Sequence, residues 1–540
     1  MRFRTGVLAV AMLGACIAGA RGASSLHPWT DPTTLRLAVT VDPHGFNPIY
    51  PTNQEDDWLA SLCFDLLITQ DGAGRLVPDL AAAVPTLRNG GISADGKTIR
   101  YALRRGVRWH DGAPFSSADV AFTWRAIMDP RNAVPNRHAY DRVERVETPD
   151  PYTVVFRLKE PFAPFVRSVF AEADTTYRIL PRHLLERESS LDRADFNTHP
   201  IGTGPYKFVR WDRAQSVTYE ANTAYFGGAP HIPNVVVRII PEFSTLAVEL
   251  RTHHVDLGRL DPNGFNLLRG ADGLDAELIT ANAFGAYLLN MARPPFDDVR
   301  VRRAVARSID RAGLVMRLAF GTADPGYADI PPVLYGGTAH DDPNAYDPAA
   351  ARALLDAAGW KLGADGVRVR DGKRLELSLA GFAGSTTARS FDVQVQSELR
   401  GVGIDVQIKD FAPATFFAPA AAGGPIASGN YDLAPLNWLS GTDLDNAVLF
   451  TCGARPPNGR NYEGYCSQEM EALQREARRT YDDAKRRATY AKIERLIVRD
   501  VPMAFISYPK IRVYRNVDLH RPQPNGVTLW WHVAEWTFGP

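Results

Sequence analysis

Residues 106–124 read GVRWHDGAPFSSADVAFTW, and this stretch decides how the chain around it folds. The DG pair at 111–112 is typical of a tight turn. Ser116 stands three residues before Asp119, a spacing that caps the first turn of a helix. His110 and the aspartate beside it could be half of a general acid–base system, but the turn and the cap already account for them. We predict a turn and then a helix whose buried face carries Val120, Trp124 and Ile127.

Length and composition set the broad class of the protein. The chain has 540 residues, 45% of them hydrophobic, which is enough for two or three domains. Lys and Arg together number 61, as do Asp and Glu, so the net charge is zero. Nucleic-acid binding usually needs a surplus of basic residues. We therefore expect no nucleic-acid partner.

The N-terminus has the pattern of an export signal. Two arginines at positions 2 and 4 precede an apolar run over 7–20, which is too short to span a bilayer comfortably. The AGA at 18–20 would release a soluble periplasmic protein after a 1–20 signal peptide. The LGAC at 13–16 resembles a lipobox, which would end the signal at 15 and leave Cys16 lipidated as a membrane anchor. Both readings predict export, and no later segment resembles a transmembrane span.

Export changes the interpretation of the other cysteines. Cys63 lies in an apolar run and is predicted to be a buried thiol. Cys452 and Cys466 bracket a polar loop, for which a disulfide is the natural reading in an oxidising compartment. A metal site is a poor alternative, because neither a CxxC motif nor a histidine pair accompanies them.

Hydrophobic periodicity predicts a mixed α/β chain. Short alternating segments typical of strands dominate the first half and recur in the second, at 35–41, 98–103, 152–158, 205–211, 404–408 and 503–508. Longer helical patterns occupy the second half, at 298–308, 348–358, 389–400 and 467–499. The Ala/Gly/Pro-rich segment 412–429 is predicted to be a surface loop or a frayed helix.

Catalytic motifs are weak throughout. The GTGP at 202–205 lacks the Lys-Ser/Thr pair of a phosphate-binding loop. Ser507 and Lys510 match S-x-x-K, but the intervening proline opposes the helix that this motif needs. The adjacent histidines at 253–254 cannot share one helix face, so a polar helix end explains them better than a metal site. We predict no enzyme, no metal and no cofactor; an exported hydrolase using Ser507 and Lys510 is the weakest alternative.

Several motifs, in order along the mature chain, resemble the family 5 extracellular solute-binding proteins, the peptide-type binding components of ABC transporters. The opening stretch resembles that family's signature block. Further blocks are FNP at 46–48, LVPDLA at 76–81, SADGKT at 93–98, PIGTGPY at 200–206, PFDDVRVRRA at 295–304 and VP at 501–502. The resemblance also includes the loop closed by Cys452 and Cys466.

The resemblance implies an α/β, periplasmic-binding-protein-like fold with two lobes and an extra α/β domain, of the cluster C type. It places lobe I at 33–70, 200–289 and 503–540, the accessory domain at 71–199, and lobe II at 290–502. A ligand would bind between the lobes, which close around it by hinge motion. The opening stretch would then be a structural part of the accessory domain.

The resemblance also implies ligand-binding residues. In dipeptide and oligopeptide binders of the family, an aspartate three residues after a tryptophan holds the ligand α-amine. That position here is Gly441, so Asp443 is the candidate replacement; it could instead cap a helix near 445–450. The arginine that holds the ligand carboxylate in dipeptide binders aligns with Phe382. The remaining predicted contacts are Thr52, Asn53, Gln54, Ser385, Asn437, Trp438 and Ser440.

The function implied is capture of peptides for an ABC importer, with inner-membrane permease subunits as partners and a monomeric state. Peptides suit such a cleft because their extended backbone can pair with protein groups regardless of side-chain identity. A same-fold receptor for a non-peptide solute stays open: a metal chelate, haem, glutathione, a sugar or an opine. This alternative is favoured by Gly441 and Phe382, which differ from the pattern of the dipeptide binders.

Overall fold

The structure, a computed structural model, describes residues 25–173, 175–331, 334 and 342–540. The predicted signal peptide at 1–20, its lipoprotein variant at 1–15 and Cys16 lie outside these residues. The chain is mixed α/β, as predicted. Its largest feature is a mixed sheet whose strands are, in spatial order, Asp405–Phe411, Glu376–Phe382, Leu433–Leu439, Ala283–Leu289, Met503–Asn516, Leu257–Leu260, Thr34–Val39, Asn234–Ile239, Ser216–Ala221 and Tyr206–Asp212.

One long strand connects the two ends of this sheet. The first residues of Met503–Asn516 pair antiparallel with Ala283–Leu289. Its last residues pair with Leu257–Leu260 and Leu274–Thr280, and the short strand Ala323–Pro325 pairs with its middle. Strands from both halves of the chain therefore meet on a single 14-residue element.

The apolar clusters follow a similar division. One cluster draws its residues from 35–283 and 511–536. Two others draw theirs from 284–508 and lie on opposite faces of the sheet, because successive side chains of a strand point to opposite sides. Phe284 belongs to one of these and Tyr287 to the other. The predicted lobe and accessory-domain boundaries stay predictions.

Smaller sheets and the helices complete the fold. The smaller sheets contain Thr98–Ala102, Thr153–Leu158 and Val143–Asp150; Ile68–Gln70 and Leu76–Pro78; Lys361–Leu362, Arg368–Arg370 and Lys373–Arg374; and Leu519–His520 with Thr537–Phe538. The α-helices are Gln54–Cys63, Ser117–Met128, Phe165–Ser168, Arg182–Leu185, Phe243–Arg251, Pro262–Leu267, Val299–Ser308, Arg311–Leu318, Pro348–Ala357, Thr386–Arg400, Pro413–Phe416, Pro425–Ser428, Ala447–Phe450, Gln468–Arg479 and Asp483–Asp500. Short 3₁₀ turns occur at Tyr140–Arg142, Leu191–Arg193, Asp195–Asn197, Ala420–Ala422, Cys452–Ala454 and Val533–Glu535.

The helical pattern at 467–499 forms two helices, Gln468–Arg479 and Asp483–Asp500. The side chain of Asp482 accepts a hydrogen bond from the backbone N–H of Lys485 and so starts the second helix. Tyr481, in the break, points its hydroxyl at another part of the chain, which an uninterrupted helix would not have allowed.

The opening stretch folds as its local pattern predicts. Ser116 and Asp119 form the predicted capping box of helix Ser117–Met128. Val120 and Ile127 are fully buried. Trp124 is only half-buried, which differs from the prediction, because its indole N–H reaches out to the carbonyl oxygen of Tyr140 at 3.3 Å.

His110 does not pair with Asp111. Both ring nitrogens of His110 face the backbone of the GTG segment: Nε2 lies 3.0 Å from the Gly204 oxygen, and Nδ1 accepts from the Gly202 N–H at 3.2 Å. Asp111 instead contacts His183 at 2.7 Å. Burial lowers the pKa of His110 to about 4. The histidine is therefore a neutral structural bridge between two motifs.

The predicted disulfide between Cys452 and Cys466 is confirmed. Inside the loop that it closes, the Asn461 side chain donates to the carbonyl oxygens of Thr451 and Tyr465. Cys63 is a buried free thiol, as predicted. The disulfide loop packs beside Ala447–Phe450, close to the residues that form the candidate site.

Candidate functional site

The candidate site lies at the end of the Leu433–Leu439 strand. Residues 437–443, here called the tryptophan loop, continue from this strand and read NWLSGTD. Asn437 is exposed, Trp438 and Ser440 are partly exposed, and the loop becomes buried at Gly441. The first part of the loop is therefore accessible to solvent, and the part that follows it is buried.

Asn282, in the predicted lobe I, holds the tryptophan loop by two hydrogen bonds. The Ser440 N–H donates to the Asn282 carbonyl oxygen, and the Asn282 side-chain amide donates to the Gly441 carbonyl oxygen, both at 2.7 Å. The Asn282 N–H in turn contacts the Gly526 oxygen at 3.4 Å. Gln54 reaches the same 525–527 segment, since its side-chain amide donates to the Val527 oxygen at 3.2 Å.

A second contact joins the tryptophan loop to Glu172, in the predicted accessory domain. The Thr442 hydroxyl donates to the carbonyl oxygen of Glu172 at 2.6 Å. The Glu172 carboxylate is buried and accepts hydrogen bonds from the side chains of Thr69 and Asn525. Burial raises the pKa of Glu172 to about 7. Three parts of the chain therefore meet at this loop.

Asp443 already has a cationic partner. Its carboxylate forms a two-point ion pair with Arg486, with oxygen–nitrogen distances of 2.8 and 2.5 Å. Both side chains are buried, with 7% of Asp443 and 5% of Arg486 exposed. The same carboxylate accepts the N–H of Asp445, ahead of the short helix Ala447–Phe450. The ligand-amine role of Asp443 stays a prediction, and it would have to displace this arginine.

A second aspartate–arginine pair lies next to this one. The single Nε–H of Arg478 is shared between the two carboxylate oxygens of Asp445, at 3.0 and 2.9 Å. Burial alone would raise the pKa of Asp445, but the guanidinium of Arg478 holds it below its ordinary value. Helices Gln468–Arg479 and Asp483–Asp500 thus supply one arginine each to the two aspartates after the tryptophan.

Other predicted contacts have local roles. The hydroxyl of Thr52 donates to Asp56 at 2.7 Å, and Asn53 caps helix Gln54–Cys63. Ser385 caps helix Thr386–Arg400. Phe382 packs against Phe416 and Phe417, at ring distances of 5.5 and 5.9 Å, in the apolar cluster that Trp438 also touches. Of these residues, Phe382 shares an apolar cluster with Trp438, and the ligand contacts of all remain predictions.

One residue beside the tryptophan loop was not predicted. Asp329 is 2% exposed, and its Oδ2 accepts from the side-chain amide of Asn446. Burial raises the pKa of Asp329 to about 7. In the sequence it is a lone aspartate in GYADIPP, with no periodicity or motif to single it out. Only the fold, which brings positions 329 and 446 together, reveals it.

Residues 75–458 match the family described as bacterial extracellular solute-binding proteins, family 5 Middle, which is the greater part of the chain. The chain belongs to this family. The family that the order of the motifs suggested is thus confirmed. It is a family of solute-binding transport proteins rather than enzymes. Within the described residues, no helix is both long enough and apolar enough to cross a bilayer.

Two curated relatives resemble this family 5 protein over most of their length. The di/tripeptide-binding protein 2 of Pseudomonas aeruginosa (strain UCBPP-PA14) is 28% identical over 525 residues, covering 91% of this chain and 93% of the relative. The oligopeptide-binding protein AppA of Bacillus subtilis (strain 168) is 25% identical over 504 residues, covering 91% and 90%.

Solved structures share the fold of this family 5 protein. AppA of Bacillus subtilis, in complex with a nonapeptide, has a TM-score of 0.77 at 23% identity, covering 94% of this chain and 99% of that chain. NikZ of Campylobacter jejuni, in complex with Ni(L-His), has a TM-score of 0.78 at 26% identity, covering 94% and 100%. The fold class is therefore confirmed.

Proposed function

We propose that the protein is the periplasmic substrate-binding component of an ABC importer that captures peptides. In this proposal the peptide lies between lobes I and II, the lobes close around it by hinge motion, and the closed form delivers it to permease subunits in the inner membrane. The family and the peptide-binding relatives support the proposal. A monomeric state, and release or lipid anchoring after export, belong to the same proposal.

The tryptophan loop is the observation that carries this function. It ends a sheet strand with partly exposed residues, it is linked through Asn282 to Gly526, and its Thr442 contacts the carbonyl oxygen of Glu172. An extended peptide can add to such an edge through its backbone, so its side chains need not be specified. Partly exposed aromatic surface at Trp438 would cover the peptide without selecting one sequence.

A non-peptide solute is the second candidate. The observation in its favour is the absence of charged side chains at Gly441 and Phe382, the positions that anchor the termini of dipeptides in the resemblance. The likeness to NikZ, solved with Ni(L-His), points to a metal chelate as one such solute.

A retention experiment separates the two candidates. Purified protein is stripped of bound solute by partial unfolding and refolding. It is then incubated with a mixture of free-amine peptides of two to nine residues and, separately, with Ni(L-His). Native mass spectrometry should show a peptide retained; the one retained most strongly is called the selected peptide below. Retention of Ni(L-His) with no peptide retained would overturn the peptide proposal.

Closure leaves identifiable contacts between distant segments. The hydroxyl of Tyr481 donates to the Gly96 carbonyl oxygen at 2.7 Å and accepts from the Phe162 N–H at 3.1 Å. Next to it, the Ala163 N–H donates to the Arg478 oxygen at 2.6 Å. These bonds join the predicted accessory domain to the predicted lobe II and would break if the lobes separated.

Tyr481→Phe should therefore weaken binding of the selected peptide about thirtyfold. The substitution removes two hydrogen bonds worth about 1 kcal/mol each, and only from the closed form. Calorimetric titration measures the affinity, and small-angle scattering measures whether the radius of gyration still shrinks when the peptide is added.

Tyr465→Phe is the matched control. Its hydroxyl donates to Asp500 at 2.8 Å, a contact that lies wholly within predicted lobe II. We expect it to lower the melting temperature without changing affinity. If Tyr481→Phe behaves in the same way, its contacts persist in the open form and do not report closure.

A further inference from the structure

A small cavity lies directly beside the tryptophan loop. Its volume is about 10 Å³, roughly the space that one water molecule occupies. Trp438 and Ser440 of the tryptophan loop line it and are partly exposed, as are Ile330 and Asp445. The other residues that line it are Phe284, Asp329, Leu334, Asp443, Leu444, Asn446 and Leu449.

The lining of this cavity has one carboxyl group more than it has cationic partners. Three aspartates line it, and no lysine or arginine does. Arg486 pairs with Asp443 and Arg478 with Asp445, both from outside the cavity. Asp329 has no such partner among the ion pairs of the described residues.

The geometry of Asp329 sharpens this imbalance. Its Oδ2 accepts from Asn446, whose side-chain oxygen is in turn held by the amide of Gln474 at 2.6 Å. Its Oδ1 is buried and has no hydrogen-bond partner among the residues that the structure describes. A buried carboxylate oxygen without a partner is unfavourable, and such groups in proteins are generally paired or serve a function. The raised pKa of Asp329 expresses the same deficiency.

We propose that Asp329 is the acceptor for a primary ammonium group of the bound solute, which enters the cavity past Trp438 and Ser440. The inference rests on the proposed function, in that it places the solute at the tryptophan loop. It names the chemical class of the solute: a compound with a terminal –NH₃⁺, as at a free peptide N-terminus or a lysine side chain. An ammonium is about the size of the water that the cavity admits, and its N–H groups match an acceptor that lacks a donor.

The competing explanation is that Asp329 is neutral and purely structural. Asp329→Asn separates the two, because it keeps the shape of the side chain and removes its charge. Asp392→Asn is the matched control: Asp392 is 1% exposed, accepts from the Tyr287 hydroxyl at 2.7 Å and has an unpartnered Oδ2. It lies with Tyr287, on the sheet face opposite Phe284 and the cavity.

Three ligands are titrated calorimetrically against the wild type and both variants: the selected peptide, its Nα-acetylated form and, if it contains lysine, its Nε-acetylated form. Asp329→Asn should weaken the selected peptide about tenfold or more. It should also lose the preference for the unacetylated peptide that the wild type shows, whereas Asp392→Asn should keep it. Which acetylation weakens wild-type binding identifies the source of the ammonium.

The inference would be overturned if a variant at position 329 kept the wild-type preference for the unacetylated peptide. It would also be overturned if the wild type had no such preference. Neither result would contradict peptide binding. If Asp329→Asn does not fold, Asp329→Ser takes its place in the same titrations.

If the wild type retains no peptide, the proposed function fails, and the inference is tested with ethylammonium chloride. Tetramethylammonium chloride at the same concentration is the control, because it has no N–H donor. Relative to this control, ethylammonium chloride should raise the melting temperature of the wild type more than that of Asp329→Asn. Equal shifts in the two proteins would overturn the inference.

Discussion

Asp443→Asn should lower the free energy of unfolding by about 3–5 kcal/mol, because it removes the charge that pairs at two points with the buried guanidinium of Arg486. The same change should weaken the selected peptide and its Nα-acetylated form equally. Both side chains are almost fully buried and already meet at two points. Chemical denaturation measures the first effect and calorimetric titration the second.

Two companion variants identify the cause of the loss. Asp443→Asn combined with Arg486→Gln removes both charges, so it should recover part of the lost stability. Asp212→Asn removes one member of an exposed pair with Arg210 and should cost at most about 1 kcal/mol. A loss confined to the free-amine peptide would instead support the amine-anchor prediction and mean that Asp443 leaves Arg486 when ligand binds.

Gly202→Ala should lower the free energy of unfolding by about 3 kcal/mol or more, at the upper end of overpacking effects. A Cβ at this position would lie 1.7 Å from the carbonyl oxygen of Cys63, which is backbone and cannot turn aside. The same oxygen accepts the N–H of Gly204 at 2.8 Å. The glycines of PIGTGPY therefore let two backbone segments approach closely.

Gly453→Ala is the control for this substitution. A Cβ there meets nothing within 4 Å, and Gly453 is not among the glycines with positive φ. We expect its unfolding midpoint in urea to stay near that of the wild type. A Gly202→Ala protein as stable as Gly453→Ala would mean that the GTG segment can move away from Cys63 at little cost.

Much of the fold could be predicted because it is encoded locally. The capping box at Ser116 and Asp119 depends on residues three apart, and strand Thr34–Val39 on alternation within one short segment. The break at 480–482 was missed because the helical pattern continues on both sides of it. In the break, the hydroxyl of Tyr481 donates to the carbonyl oxygen of Gly96, 385 positions away.

The candidate site was predictable only in part. The tryptophan loop could be found by resemblance, and the disulfide could be inferred from export and loop composition. The roles of individual carboxylates could not be predicted, because the groups that surround a carboxylate in the fold decide what it pairs with. Asp443, which the sequence predicts to meet a ligand, pairs with Arg486 in the structure, and Asp329 carried no signal at all.

The sequence by itself determined the class of this protein, its family and its local elements, because turns, caps and hydrophobic periods act over a few neighbouring residues. Only the tertiary structure decided which charges are neutralised. Arg486 reaches Asp443 across 43 positions, and Asn446 reaches Asp329 across 117. Burial makes the free energy of a charge depend on the few atoms within hydrogen-bonding distance, and those atoms come from segments that only folding brings together.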